Sequence, residues 1–259
     1  MTHICTFSGG VGSFFATKRV VDKVRLKNNN DKIIALFADT LIEDEDLYRF
    51  LKDTINYLNI DLITLRDGRT PWQVFFDVKF LGNSRVDSCS KFLKRDLLNK
   101  WIRENYKPSE CIVYLGIDWT EDHRIEKVVK KNYPYVYEAP LCDPPFIDKN
   151  QMLEDLEKVI GIKKPRLYDL GFFHNNCSGF CIKYGTAQFK LLLEKFPDRY
   201  RYHEEMEEKI RLFLNKDVTI LRIQRNKKKV NITLKEFREH IESGGNFDKF
   251  DWGGCGCGV

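Results

Sequence analysis

Several classes of protein are excluded by what the chain lacks. No basic, apolar and small-residue leader stands at its N-terminus, and no apolar run approaches the ~20 residues that a membrane-spanning helix needs. A soluble, cytoplasmic protein with no membrane partner is therefore expected. Internal repeats and long low-complexity tracts are absent, which removes solenoids and arrays from consideration. Charge of one sign is also scarce: the formal net charge is only +5 over 259 residues, which permits a nucleic acid or other polyanionic partner without demanding one. Both familiar phosphate-binding motifs are missing, since no Walker lysine follows a glycine loop and no G-x-G-x-x-G spacing occurs.

Cysteine is plentiful. Eight cysteines in a chain with no secretion signal are expected to be thiols, because a reducing compartment disfavours a disulfide framework. Cys5 and Cys111 lie in apolar, strand-like runs and read as small core residues. Cys142 has no obvious partner in sequence. Cys89, Cys177, Cys181, Cys255 and Cys257 stand in polar or glycine-rich settings and are the functional candidates.

From residue 3 to about residue 160, short β-rich runs alternate with amphipathic helical ones, the pattern of a parallel α/β sheet. Strands are expected at His3 to Phe7, Lys32 to Phe37, Asp61 to Leu65, Cys111 to Leu115 and Tyr135 to Glu138, with helices near 13–27, 44–58, 91–105 and 121–132 between them. The fold class that follows is α/β, a doubly wound, mainly parallel five-stranded sheet (residues 1–160), with a helical and hairpin C-terminal region (residues 161–259). In that second region, Cys181 to Phe196 and Arg201 to Leu214 read as helices, and Val218 to Ile223 with Val230 to Ile232 as a hairpin. Its basic turn is a candidate contact for a nucleic acid backbone, although lysines also protect an exposed sheet edge.

The most informative residues are Ser8-Gly9-Gly10-Val11-Gly12-Ser13, between the first strand and the first helix. A glycine-rich turn that opens a helix is an anion cradle, because the backbone can approach a phosphate and the helix terminus supplies N–H groups. The loop resembles the S-G-G-x-D-S loop of the PP-loop ATP pyrophosphatases and the related phosphoadenosine phosphosulfate reductases, with Gly12 where that motif carries aspartate. Three further segments resemble the same family in the same order. They are Phe37-Ala38-Asp39-Thr40 at a strand end, Cys89 to Lys94 leading into a helix, and Gly116-Ile117 followed by Glu121 and Arg124. Asp39, Thr40 and Asp44 also suit the N-cap of the second helix. Gly116 would let a nucleotide approach the backbone, and Arg124 would grip an oxyanion. His123 reads as a surface residue.

Cys89, at a helix start with Lys91 and Lys94 nearby, is expected to carry a lowered thiol pKa and to serve as nucleophile or metal ligand. Cys177 and Cys181 are spaced to share one side of a helical turn. Together with Cys89 and either Cys255 or Cys257, they would complete a four-thiolate shell for a 4Fe-4S cluster or for zinc.

The resemblance implies an adenine nucleotide as ligand, held by Ser8, Gly9, Gly10, Gly12, Ser13, Asp39 and Gly116, with Cys89, Lys94 and Arg124 at the chemistry. It implies ATP and Mg2+, attack of a substrate oxygen on the α-phosphate, and loss of pyrophosphate. The acceptor of sulfur would be a nucleobase or another small molecule, and a nucleic acid substrate and a sulfur donor would be the partners. Two alternatives remain open: reduction of phosphoadenosine phosphosulfate by a tail cysteine, with thioredoxin or glutaredoxin as partner, and nucleotide binding without turnover.

Overall fold

The computed structural model describes residues 1–27, 30–225 and 228–254. Its first half is built from β1 (Thr2–Thr6), α1 (Val11–Leu26), β2 (Lys32–Asp39), α2 (Glu45–Leu58), β3 (Asp61–Arg66) and α3 (Pro71–Asp77). A three-residue helix α4 (Ser88–Ser90) continues through a π-helical segment (Lys91–Asp96) into α5 (Leu97–Asn105). Next come β4 (Cys111–Tyr114), a 3-10 turn (Trp119–Arg124), α6 (Ile125–Asn132) and β5 (Val136–Glu138). The remainder is helical apart from one hairpin: α7 (Lys149–Lys158), α8 (Arg166–Asp169), a 3-10 turn (Cys177–Gly179), α9 (Thr186–Lys195), α10 (Pro197–Leu214), β6 (Leu221–Arg225), β7 (Lys228–Ile232) and α11 (Leu234–Glu242).

The five strands form one sheet in the order β3-β2-β1-β4-β5, every pairing parallel. Burial on both faces explains the sequence of β2, whose residues Ile34 to Asp39 are all buried. Alternate side chains serve the two faces. Ala35 and Phe37 join the cluster that contains Phe14 and Val21 of α1, Phe50 of α2 and Leu156 of α7, whereas Ile34 and Leu36 join Leu98 and Ile102 of α5. Cys5 and Cys111 are buried as small core residues, and burial pushes the Cys5 thiol up to about 12.

A further apolar cluster unites Trp72 and Phe75 of α3 with Phe180, Phe189, Tyr200, Ile210, the hairpin and α11. Local signals set these helices. Thr70 and Gln73 make a capping box with Pro71 in the first turn of α3, and Thr233 with Glu236 repeats the box at α11. At the centre of this cluster Trp72 Nε1 donates to His203 Nδ1 at 2.9 Å, and burial drives the pKa of His203 far below its ordinary value.

The order 3-2-1-4-5 reverses between β1 and β4, so the loops after those strands open a crevice at their carboxyl ends. The glycine-rich loop and Gly116 both lie there. No described helix is long and apolar enough to cross a membrane.

Candidate functional site

In the segment between β1 and α1 the N-cap residue is Gly10, which offers no capping side chain of its own. Gly9 has φ +76°, and a Cβ there would lie 2.8 Å from Leu47 Cγ, so this turn requires glycine. Ser8 Oγ donates to Ser13 Oγ at 3.3 Å, and Ser13 Oγ donates in turn to the Gly10 carbonyl at 2.8 Å. Gly116 fits against the loop from β4, where an added Cβ would stand 2.9 Å from Ser13 Cα.

Ser8, Gly10, Gly12, Ser13, Gly116, Lys94 and Arg124 line one cavity of about 620 Å3. That volume lies within the range of small-molecule sites. Lys94 arrives on the π-helical segment, whose irregular turn is a feature often found at functional positions. Arg124, also on the cavity wall, donates to Glu121 Oε1 at 2.6 Å. Asp39 does not line the cavity. Its carboxylate accepts from Leu41 N at 3.0 Å, Tyr48 Oη at 2.9 Å and Arg66 Nε at 2.9 Å, which fixes the turn behind the cavity wall.

The C-terminal region supplies groups that sequence reasoning missed. His174, Asn175 and Asn176 are at least nine-tenths buried and line the same cavity. Asn175 Nδ2 donates to the Gly9 carbonyl at 3.0 Å, which fixes the amide so that Oδ1 is its remaining acceptor. Among the described residues, neither Asn175 Oδ1 nor Asn176 Oδ1 has a hydrogen-bond partner. Tyr168 Oη accepts from Val11 N at 3.3 Å, at the mouth of the helix terminus. The cavity thus joins the glycine-rich loop to a buried polar segment of the C-terminal region.

Cys89, Cys177 and Cys181 wall a second, much smaller cavity of about 20 Å3 with Phe180 and Lys183. None of the six described cysteines is in a disulfide. The expected helical turn at Cys177 is not formed. Cys177 and Ser178 have φ +53° and Gly179 φ +79°, three successive left-handed residues, and α9 begins only at Thr186. Such a backbone is costly for residues with a Cβ and needs clamping. Two neighbouring carboxylates from the β2–α2 turn provide it. Glu43 Oε2 accepts the Cys177 N–H, and Arg199, paired with Asp44 at 3.3 Å, donates to the Ser178 carbonyl at 2.5 Å. The other oxygen of Glu43 accepts from Thr40 Oγ1 at 2.9 Å and lies 3.4 Å from Lys94 Nζ. Glu43 therefore joins the wall of the large cavity to the cysteine turn.

Three thiols on one small cavity are the soft donors that a thiophilic metal takes. Among the described residues, no group of three or more His, Cys, Asp or Glu side chains is arranged to hold a metal. Cys255 and Cys257 lie outside the described residues. Gly254, the residue before Cys255, donates its N–H to the Lys183 carbonyl at 2.9 Å, on the wall of the thiol cavity. For magnesium, Asp118, Glu121 and Asp148 are the carboxylate residues that line the large cavity, while Gly12 contributes none.

No protein-family model matches the chain, and no curated protein does either. Among solved structures, a phosphoadenylyl-sulfate reductase from Candida auris in complex with phosphate is similar at 13% identity and a TM-score of 0.44, over 65% of this chain and 78% of the other. A U34-tRNA thiolase, NcsA, from Methanococcus maripaludis with its [4Fe-4S] cluster is similar at 14% identity and a TM-score of 0.45, over 83% of this chain and 73% of the other.

Proposed function

We propose that this protein is an ATP-dependent adenylating enzyme of the PP-loop type, which releases pyrophosphate and serves sulfur transfer to a nucleobase or another small acceptor. The observation that carries the reading is the helix terminus at Gly10, which has no capping side chain of its own, opening into a cavity of about 620 Å3 at the reversal of strand order. ATP would lay its phosphates on the loop of residues 8–13. A substrate oxygen attacks the α-phosphorus, a new P–O bond forms, the bond to the bridging oxygen breaks, and pyrophosphate departs. Lys94 and Arg124 supply fixed positive charge to the phosphates as negative charge shifts onto the leaving group. Magnesium, held by the cavity's carboxylates, would neutralise that charge further.

Cys89, Cys177 and Cys181, with Cys255 or Cys257, would hold a 4Fe-4S cluster or zinc. A bound cluster supplies sulfur or electron chemistry beside the activated acceptor. The clamped turn fixes where Cys177 stands, and Glu43 links that position to Lys94. Iron, zinc and acid-labile sulfide, measured with a visible spectrum on protein purified without oxygen, test the thiol site. Iron with sulfide supports cluster-dependent sulfur transfer. Zinc alone assigns the thiols a structural role. A metal-free protein with reactive tail thiols would favour reduction of phosphoadenosine phosphosulfate instead.

A further inference from the structure

Residues 248–254 dock on the turn of residues 183–187 that opens α9. Gly253 bridges to Tyr184 in an antiparallel contact, and Ala187 N donates to the Asp251 carbonyl at 3.0 Å. Gly185, the N-cap residue of α9, has no side chain with which to cap it. Asp251 supplies the missing acceptor from the far end of the chain: its Oδ2 accepts from Thr186 N at 3.0 Å and lies 3.3 Å from Thr186 Oγ1. Thr186 Oγ1 is also 3.1 Å from the Asp248 carbonyl, and Thr186 is buried. Two glycines permit so close an approach. A Cβ at Gly185 would overlap the Asp251 carbonyl, and one at Gly253, where φ is +72°, would overlap Gly185 N.

This docking carries the chain end to the thiols, and Lys183 is the junction. Its carbonyl accepts from Gly254 N at 2.9 Å, while its Nζ lies 3.5 Å from Oδ2 of Asp87, the N-cap residue of the short helix α4 that carries Cys89. Tyr184 N donates to the Cys181 carbonyl at 2.9 Å, so the same turn leads back to Cys181. Lys183 and the three thiols wall the small cavity, and Gly253 and Gly254 wall the large one. Gly254 is the last described residue. The Cα of Cys255 follows it at about 3.8 Å, whereas Cys257 stands two residues on, up to ~7 Å farther along the chain.

We infer that Asp251 is a positioning residue, which latches the C-terminal segment onto the start of α9 so that Cys255, and not Cys257, joins Cys89, Cys177 and Cys181 at the thiol cavity. The inference rests on the thiol site of the reading above; it names the fourth member of that site and the group that delivers it. Asp251 lines neither cavity. It acts through the backbone path of residues 252–254, whose far end the Lys183 carbonyl holds.

The test is disulfide trapping in the metal-free full chain with diamide, which takes two electrons and two protons from a pair of neighbouring thiols as their S–S bond forms. Linked peptides are then identified by mass spectrometry after digestion. The parent should link Cys255 to Cys89, Cys177 or Cys181, with Cys257 outside such pairs. Asp251→Ala should lower that yield at least fivefold, whereas Asp251→Asn, which keeps an acceptor oxygen, should retain it. Urea midpoints report that both variants are folded under the trapping conditions. Cys255→Ser should also lower bound iron or zinc per chain and Cys257→Ser should not, a comparison that stands even if Asp251→Ala fails to fold. Three outcomes overturn the inference: Cys257 takes the place of Cys255 in the linked pairs, no tail cysteine links to the other three, or folded Asp251→Ala traps as the parent does. Trapping needs no metal, so a chain that binds neither iron nor zinc fails the metal reading alone, and the linked peptides still decide the inference.

Discussion

Replacing Glu43 by glutamine should disturb both cavities at once, and the structure gives the size of the effect. The Glu43 side chain is fully buried and that of Lys94 is 6% exposed, so the pair is held out of water at 3.4 Å. Losing one partner of a buried pair costs up to about 3–5 kcal/mol. Glutamine preserves the shape and one carbonyl acceptor, so part of the bonding to Thr40 Oγ1 and the Cys177 N–H survives, and a loss of about 2–4 kcal/mol is expected. Urea unfolding of Glu43→Gln, Lys94→Met and the double variant measures it. In the double variant no orphan charge remains, so the two single losses should exceed the double loss by at least ~1 kcal/mol. Additive losses, or a Glu43→Gln variant within ~0.5 kcal/mol of the parent, the range of an ordinary surface change, would refute the buried linkage.

Other substitutions follow from the same geometry. In Gly116→Ala the new Cβ would meet Ser13 backbone at 2.9 Å, and overpacking of this kind costs about 1–3 kcal/mol; nucleotide affinity, read by calorimetry, should fall about tenfold or more, and unchanged affinity would detach Gly116 from the site. Cys181→Ser should lower bound iron or zinc per chain, measured by elemental analysis, whereas Cys5→Ser should leave the metal content unchanged. Glu207 is buried and accepts from Ile220 N at 2.9 Å and from Leu234 N at 2.5 Å, and burial raises its pKa from 4.5 to about 7. A raised carboxyl favours the folded state fully below its unfolded pKa and loses that contribution as pH rises through the folded one. The stability advantage of the parent over Glu207→Gln should therefore shrink by about 3 kcal/mol between pH 4 and pH 8. A difference in urea midpoints independent of pH would contradict the assignment. His203 works in the opposite sense, since its pKa is lowered by burial and it costs stability as pH falls below its unfolded value.

Much of the sheet could be read from apolar runs. The expected strands at Lys32 to Phe37 and Asp61 to Leu65 overlap β2 and β3 almost fully: β2 is buried on both faces and carries a near-continuous apolar run, while β3, at the sheet edge, still shows the short run Leu62-Ile63-Thr64-Leu65. Helix α7 escaped that reading although Asp148 caps it, since only Met152 and Leu156 are buried along it. Helix α3 escaped it too, despite the Thr70 and Gln73 box. The loop, Gly116, Lys94 and Arg124 were legible because a short segment carries each signal. His174, Asn175, Asn176 and Glu43 were not, because their place on the cavity or between the two cavities depends on how residues 166–185 fold back onto the sheet. At Cys177 a helical spacing misled, since no local pattern announces a left-handed turn that is held from outside by Glu43, Asp44 and Arg199.

The most direct test of the central claim is the identity of the anion released from ATP labelled on its γ-phosphate and incubated with the protein, magnesium and bulk cellular RNA. Labelled pyrophosphate is expected, with release falling at least tenfold when Lys94 or Arg124 is replaced by alanine. Labelled orthophosphate with ADP, or ATP left intact by a protein that binds it, would contradict it.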